Sequence, residues 1–179
     1  AIVHCAASGR GGAEAYRHVY VEGCRNLATR FPGTPLLFTS STSVYAQTDG
    51  STVTEDSPAV PDRETGRLLL EAEAVTLAAS GTVARLAGIY GPHRSMILSK
   101  FLAGQSVIEE DGRRILNQIH RDDAARAILH LVTRARQGGV YNVSDSTPLS
   151  QLECHRALAA MFQRPMPPSG PRDEGRKRG

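Results

Sequence analysis

Nowhere in the 179 residues does an apolar run approach the ~18–20 residues of a bilayer-crossing helix. A membrane-spanning helix is therefore excluded, and no membrane partner is expected. Cysteine is scarce: Cys5, Cys24 and Cys154 are odd in number and form no C-x-x-C pair. That usage fits a reducing cytoplasm and argues against a disulfide framework or a zinc site. Net charge is small as well. Of the formal +3, a surplus of +2 falls in 165–179, where Arg172, Arg176, Lys177 and Arg178 face Asp173 and Glu174. The body carries almost no field, and no aromatic residues interleave the basic tail, so nucleic acid is not an expected partner. Neither a basic n-region nor an apolar h-region opens the chain, and there is no initiator Met.

What is present is globular, with 40% hydrophobic and 22% charged residues. "AIVHCA" at 1–6 reads as a buried strand, as though the chain entered in the middle of a sheet. After "SGRGG", the residues Tyr16, Tyr20, Cys24, Leu27 and Phe31 recur at helical spacing, and "FPGTP" ends that helix. "LLFTSSTSVY" then begins as an apolar strand and finishes in five hydroxyl residues, Thr39 to Ser43. Hydroxyls disfavour a dry interior unless each is partnered. The polar stretch 48–64, with Pro58 and Pro61, reads as a long loop. Leu68, Ala72, Val75 and Ala79 mark a second helix, stopped by Ser80 and Gly81.

"TVARLAGIYGP" reads as a strand that becomes a loop at Gly88. In "VIEEDGRRIL", Asp111-Gly112 suits a hairpin turn. Asp122 is placed to cap a helix with Ala125, Ile128, Leu129 and Val132 on one side. "VYNVSD" is a strand, and Ser150 with Glu153 forms a capping box, with Leu149 and Cys154 spaced for a hydrophobic staple. Strand and helix alternate along most of the length. The expected fold class is therefore α/β, a doubly wound parallel sheet with helices on both faces. Ligands bind such sheets beyond the carboxyl ends of the strands, where residues 39–43 emerge.

Several segments resemble the extended short-chain dehydrogenase/reductase family, which includes NAD-dependent epimerases and dehydratases of nucleotide sugars. They are "VHCAA" (3–7), "TSSTSVY" (39–45), "RLAGIYGP" (85–92), "IHRDDAARAI" (119–128) and "GGVYNVSD" (139–145), in the family's order. The resemblance implies a Rossmann-type NAD(P)-binding fold whose first strands and glycine-rich turn are not in this sequence. It implies one partial domain over 1–163 with a small substrate lobe, and a disordered or truncated basic tail over 164–179. "SGRGG" has the wrong spacing to replace the glycine turn. NAD and NADP both remain candidate cofactors, and a nucleotide sugar or another small molecule is the expected substrate. A second copy of the chain is a further candidate partner.

The resemblance also implies a Tyr-x-x-x-Lys pair in which the lysine makes the phenol a usable base. Aligning Glu73 with the family's helix puts Thr65 at the Tyr position and Leu69 at the Lys position. No lysine precedes Lys100, and Arg67 is a poor substitute. Tyr20 stands where the family tends to carry Asn. These departures, with "GRLLLEAE" (66–73), are similar to the atypical branch that includes the bacterial YeeZ-like proteins. Expected site residues are Ser41 and Thr65 for catalysis. Cys5, Ala6, Ala7, Thr39, Ser40, Leu86, Ala87, Gly88 and Ile89 are expected beside the cofactor, and Thr42, Tyr90 and Arg94 beside the substrate.

Each has a plainer reading. Ser41 can simply cap a strand end, Tyr45 is more often structural than a surrogate acid, and Arg94 can be a solvated loop charge. His120 fits a packed helix entry, and the other histidines lack metal-ligand spacing. A serine hydrolase is rejected because "TSSTS" lacks the G-x-S-x-G elbow. Two functions stay open: an NAD(P)-dependent oxidoreductase or isomerase, and a cofactor-binding module without turnover.

Overall fold

In the computed structural model, residues 1–9, 11–134 and 138–171 are described. β1 (Ile2–His4) leads into one long helix, assembled from α1 (Ala13–Tyr16), a π-helical segment (Arg17–Glu22) and α2 (Gly23–Arg30). β2 (Leu36–Ser41) ends in a 3-10 turn (Thr42–Val44), and after a long loop α3 (Glu64–Ala78) leads to β3 (Thr82–Leu86). Then come β4 (Gly88–Tyr90), α4 (Met96–Leu102), β5 (Ile108–Glu109), β6 (Ile115–Leu116), β7 (Gln118–His120) and α5 (Arg121–Thr133). β8 (Val140–Val143), β9 (Leu149–Ser150), α6 (Gln151–Phe162) and β10 (Ser169–Gly170) complete the order.

β1, β2, β3 and β8 form one parallel sheet in that spatial order. Its register aligns the carboxyl ends of β2, β3 and β8, with Ser41 facing Leu86 and Leu86 facing Val143, while β1 ends earlier, His4 facing Phe38. Successive residues of β2 point to opposite faces, as the pleat requires. Phe38 packs with Val21 and Cys24 of the long first helix and Leu68, Leu69 and Ala72 of α3. Leu37 packs the other way, with Ala84, Val143, Ala124 and Leu131. Both faces are covered, as the alternation implied.

β1 is an outer strand of this sheet, and Val3 is 38% exposed, so the expectation of a fully buried strand fails there. "GIY" does not become a loop at Gly88; it forms β4 and pairs in parallel with β7. α5 begins two residues earlier than expected, at Arg121. Its cap is His120, whose Nδ1 accepts from the Asp122 amide at 3.3 Å, and not Asp122. Its core stripe is Ala124, Ala127, Ile128 and Leu131, the i, i+3, i+4, i+7 pattern. Ala125 is exposed and Leu129 is 63% exposed, because both fall outside that stripe.

The expected hairpin at Asp111-Gly112 does not form. The Glu109 amide is taken by Gln151 Oε1 at 2.9 Å and the Val107 carbonyl by Gln151 Nε2 at 3.1 Å, while β6 pairs with β9. Gly112 instead closes a turn onto the Glu109 carbonyl at 2.9 Å, with φ of 72°. A Cβ there would stand 2.7 Å from Ile108 Cγ2, so the position admits only glycine without movement. Residues 164–171 are not a loose tail either. Ser169 and Gly170 pair in parallel with β5, with the Ile108 amide on Pro168 O at 2.9 Å and the Glu110 amide on Gly170 O at 2.8 Å. The rest of that expected tail, 172–179, lies outside the described residues. The capping box is formed, with Ser150 Oγ accepting the Glu153 amide at 3.2 Å and Glu153 Oε2 accepting the Ser150 amide at 2.8 Å. The Ser150 hydroxyl, donating to Glu153 Oε2 at 2.7 Å, and then the Ser150 amide hold the Glu153 carboxyl below its ordinary pKa.

The π-helical step has a local cause. His4 is buried and its Nε2 donates to the Val19 carbonyl at 2.9 Å, inserting a side chain into the helix ladder. A Cβ at Gly23 would lie 2.6 Å from that nitrogen. Gly23→Ala is therefore expected to cost about 1–3 kcal/mol, the usual scale of overpacking. In a His4→Ala background the same change should cost much less. Urea unfolding of the four variants checks this, and equal costs in both backgrounds would refute the wedge.

Candidate functional site

The hydroxyl row at the end of β2 is largely stitched into its own surroundings. Thr39 Oγ1 donates to His4 O at 3.2 Å, tying β2 to β1. Ser41 Oγ accepts the Ser43 amide at 3.1 Å and so caps the 3-10 turn. Thr42 Oγ1 reaches Leu86 O at 3.5 Å. Ser40, expected beside the cofactor, is buried instead, and its hydroxyl donates to Glu73 Oε1 at 2.5 Å.

That last contact opens onto a buried charge network. Arg85 of β3 grips Glu73 of α3, with Nε 3.1 and 3.2 Å from the two carboxylate oxygens and Nη2 2.6 Å from Oε2. The two side chains are only 7% and 4% exposed. Burial by itself would lower the Arg85 pKa, but the bonds from Glu73 and Tyr45 outweigh it and raise the value. Arg85 Nη1 also donates to the Tyr45 phenol at 2.7 Å, and its guanidinium lies 4.9 Å from that ring's centre. The phenol passes its own hydrogen to Asn142 Oδ1 at 2.9 Å or Thr54 O at 3.2 Å. Glu55 accepts the Asn142 amide at 2.7 Å, so the long loop is pinned to β8. Tyr45 is thus structural.

Around this network the carboxyl edge of the sheet is open. Cys5, Ala6 and Ala7 leave β1 exposed and small. At the end of β3, Leu86 and Ile89 are half-buried and Gly88 is exposed, while Ala87 is buried and donates to Val143 O at 2.9 Å. Thr65 is half-buried on the first turn of α3. That turn abuts the end of β2: a Cβ at Gly66 would stand 3.5 Å from Ser43 O. The start of α3 therefore abuts the 3-10 turn that Ser41 caps, whereas Leu69 is 5% exposed within the core.

Tyr90 and Arg94 belong to a neighbouring patch. Tyr90 stands edge-on to His120 at 5.4 Å, and Arg94 Nε donates to Ile89 O at 3.2 Å, closing its own turn. No group of three or more His, Cys, Asp or Glu side chains suited to a metal exists among the described residues. The small lobe holds a cavity of about 280 Å³ between α4, β5 and α6, lined by Lys100, Ser106, Glu109 and His155 among others. None of the expected site residues lines it.

Sequence reasoning missed the Glu73–Arg85 pair as a unit, although a lone charge in "TVARLA" and the acidic residues in "LLLEAEAV" were its signal. It also missed that Tyr20 reaches the ligand edge, where its phenol oxygen accepts the Ser8 amide at 3.2 Å. Removing one partner of a buried ion pair strands the other charge, at a cost of about 3–5 kcal/mol. Glu73→Gln and Arg85→Met are each expected to lose stability on that scale in urea unfolding. The double change to Leu and Met should cost less than either single one, and a larger loss would contradict the stranded-charge account.

Comparison with known proteins agrees with this architecture. The family model described as "NAD dependent epimerase/dehydratase family" matches residues 1–144. Protein YeeZ of Escherichia coli K12 is 38% identical over 120 residues, covering 65% of this chain and 41% of its own length. A dTDP-glucose 4,6-dehydratase of Streptomyces griseus is 29% identical over 157 residues, which is 79% of this chain and 48% of that protein. The chain thus spans less than half the length of either relative. Among solved structures, dTDP-glucose 4,6-dehydratase of Bacillus anthracis in complex with NAD superposes with a TM-score of 0.78 at 19% identity, over 95% of this chain and 60% of that one. UDP-glucuronic acid 4-epimerase of Bacillus cereus, with UDP-glucuronic acid and NAD, gives 0.73 at 18% identity, over 87% and 55%. Parallel sheet, ordered motifs and family match together make this chain a member of the NAD dependent epimerase/dehydratase family.

Proposed function

We propose that the chain forms the nicotinamide and substrate side of an NAD(P)-dependent oxidoreductase or isomerase acting on nucleotide sugars. The observation that carries this reading is the open carboxyl edge of the sheet, where β2, β3 and β8 end together at Ser41, Leu86 and Val143. Cys5, Ala6 and Ala7 are exposed there without bulk, so a flat ring can lie against the chain. That edge fits the nicotinamide end of a dinucleotide. Cys5 to Ala7, Thr39, and Leu86 to Ile89 would hold it, and NAD or NADP would supply a hydride acceptor for a carbinol carbon.

This chain's own residues orient and polarise. Ser41 shares its oxygen with the Ser43 amide, which leaves its hydrogen to be given to a substrate oxygen. The Thr65 turn stands against the same edge and is the second candidate for that contact. Tyr90, Thr42 and Arg94 bound the neighbouring side, where Arg94 keeps guanidinium donors beyond the one spent on Ile89. Residues 1–171 would act as one partial domain with its substrate lobe.

A cofactor-binding module without turnover is the second reading. Leu69, buried in the core where the family resemblance implies a lysine, favours it. The two separate in one experiment. The chain is extended at Ala1 with the glycine-turn unit of a family member and titrated with NAD and NADP by calorimetry, beside the 179-residue chain. Tight binding by the extended form alone is expected. Reduced cofactor accumulating or isomerised product forming with a sugar nucleotide then supports the enzyme. Binding without any turnover across a panel of sugar nucleotides supports the module, and no binding in either form rejects both.

A further inference from the structure

α5 turns its apolar stripe, Ala124, Ala127, Ile128 and Leu131, towards the sheet. At about 100° per residue the opposite direction belongs to Asp122, Arg126, Leu129 and Thr133. All four are exposed. Leu129 sits in the middle of this face and is 63% exposed. It borders a shallow hollow of about 560 Å³ that Arg126, His130, Thr133 and Arg134 complete.

Charge along the helix is sorted by sign. Asp122 and Asp123 occupy the first turn, and Arg126, His130 and Arg134 follow at four-residue spacing towards the end. Asp123 accepts from Arg126 Nη1 at 2.6 Å, and Asp122 accepts from Arg121 Nε at 3.1 Å. The Arg134 side chain is exposed and has no acidic partner among the described residues. The helix dipole favours acids at the start and cations at the end. It gives no reason for an outward leucine between them.

We propose that this face docks against the same face of a second copy of the chain, with the two α5 helices antiparallel about a two-fold axis. A two-fold contact is isologous, so the surface must complement itself. The outward face of α5 meets that condition. An axis passing beside Leu129 brings the two leucines together over the hollows. The same placement sets Asp123 of each copy opposite Arg134 of the other. Asp123 then lies between two guanidiniums, Arg126 of its own helix and Arg134 of the second copy, and a carboxylate has acceptor sites for both. A parallel pair would oppose acid to acid and cation to cation. The stripe is only on the order of 20 Å long. It buries less than the roughly 1,200 Å² of a standard interface. The dimer is therefore weak, with a Kd on the order of 100 μM, and it loosens in salt because its charges stay close to solvent.

Sedimentation equilibrium of the full 179-residue chain, carried to about 1 mM, reads the association directly. Circular dichroism checks that each variant is folded. Asp123→Arg and Arg134→Glu should each weaken self-association about tenfold, since symmetry doubles every contact. Leu129→Asp should abolish it. An equal mixture of Asp123→Arg and Arg134→Glu should associate again at about the unaltered strength, because each reversed charge then faces its complement in the other chain. An unaltered chain that stays monomeric overturns the proposal. So do charge variants that associate as well as the unaltered chain, since the contact then lies on another face. Failure of the mixture to recover overturns the antiparallel pairing. Growth beyond a dimer also overturns it, because a two-fold contact closes on itself.

Discussion

The bidentate grip of Arg85 on Glu73 is the contact on which the rest of the edge depends. It joins the middle of α3 to β3 across a face that is otherwise apolar. Two charges this deeply buried repay their desolvation only with close geometry and further hydrogen bonds. Both conditions hold. Ser40 supplies one extra donor to the carboxylate, and Tyr45 takes the remaining arm of the guanidinium. Through Tyr45 the network reaches Asn142 on β8 and Thr54 in the long loop. A single ion pair thus fixes how α3, the strand ends and the loop sit together, and so where the start of α3 abuts the 3-10 turn after β2.

This constraint answers why an apolar strand ends in five hydroxyls. Two point towards partners that hold the scaffold, Ser40 on Glu73 and Thr39 on the His4 carbonyl. One, Ser41, turns the chain and keeps a hydrogen to offer. The row is a seam between core and ligand edge, and its residues divide between the two tasks. Leu69 is core, and Tyr20 fills the space between β1 and β2 with an aromatic ring whose polar end surfaces beside Ser8.

Much of this was legible in the sequence. Strand and helix periods placed the sheet, both covering layers and the Ser150 capping box, because burial on one face or two leaves a direct imprint on spacing. The misreadings share a cause. Asp111-Gly112 has ideal hairpin chemistry, yet Gln151, some forty positions later, takes the backbone bonds the hairpin needed. The proline-rich stretch 164–171 has no period, and its order comes from β5, a partner remote in sequence. Asp122 is a better cap by type than His120, but β7 delivers His120 to the helix start. At the site, the ends of β1, β2 and β3 came from motif order. The Glu73–Arg85 pair and Tyr20 did not, since their roles arise only when the long first helix, α3 and the sheet are brought together.

The claim that most needs a direct test is that ligand binds at the shared carboxyl edge and not in the small lobe. Amide chemical shifts of the nitrogen-15-labelled chain, followed as NAD is added, map the contact residue by residue. The account predicts that the largest changes fall at Cys5 to Ser8, Ser41 to Ser43 and Ala87 to Tyr90, with the amides around Lys100, Ser106 and His155 unmoved. Changes confined to those lobe amides, or spread evenly over the chain, would contradict it.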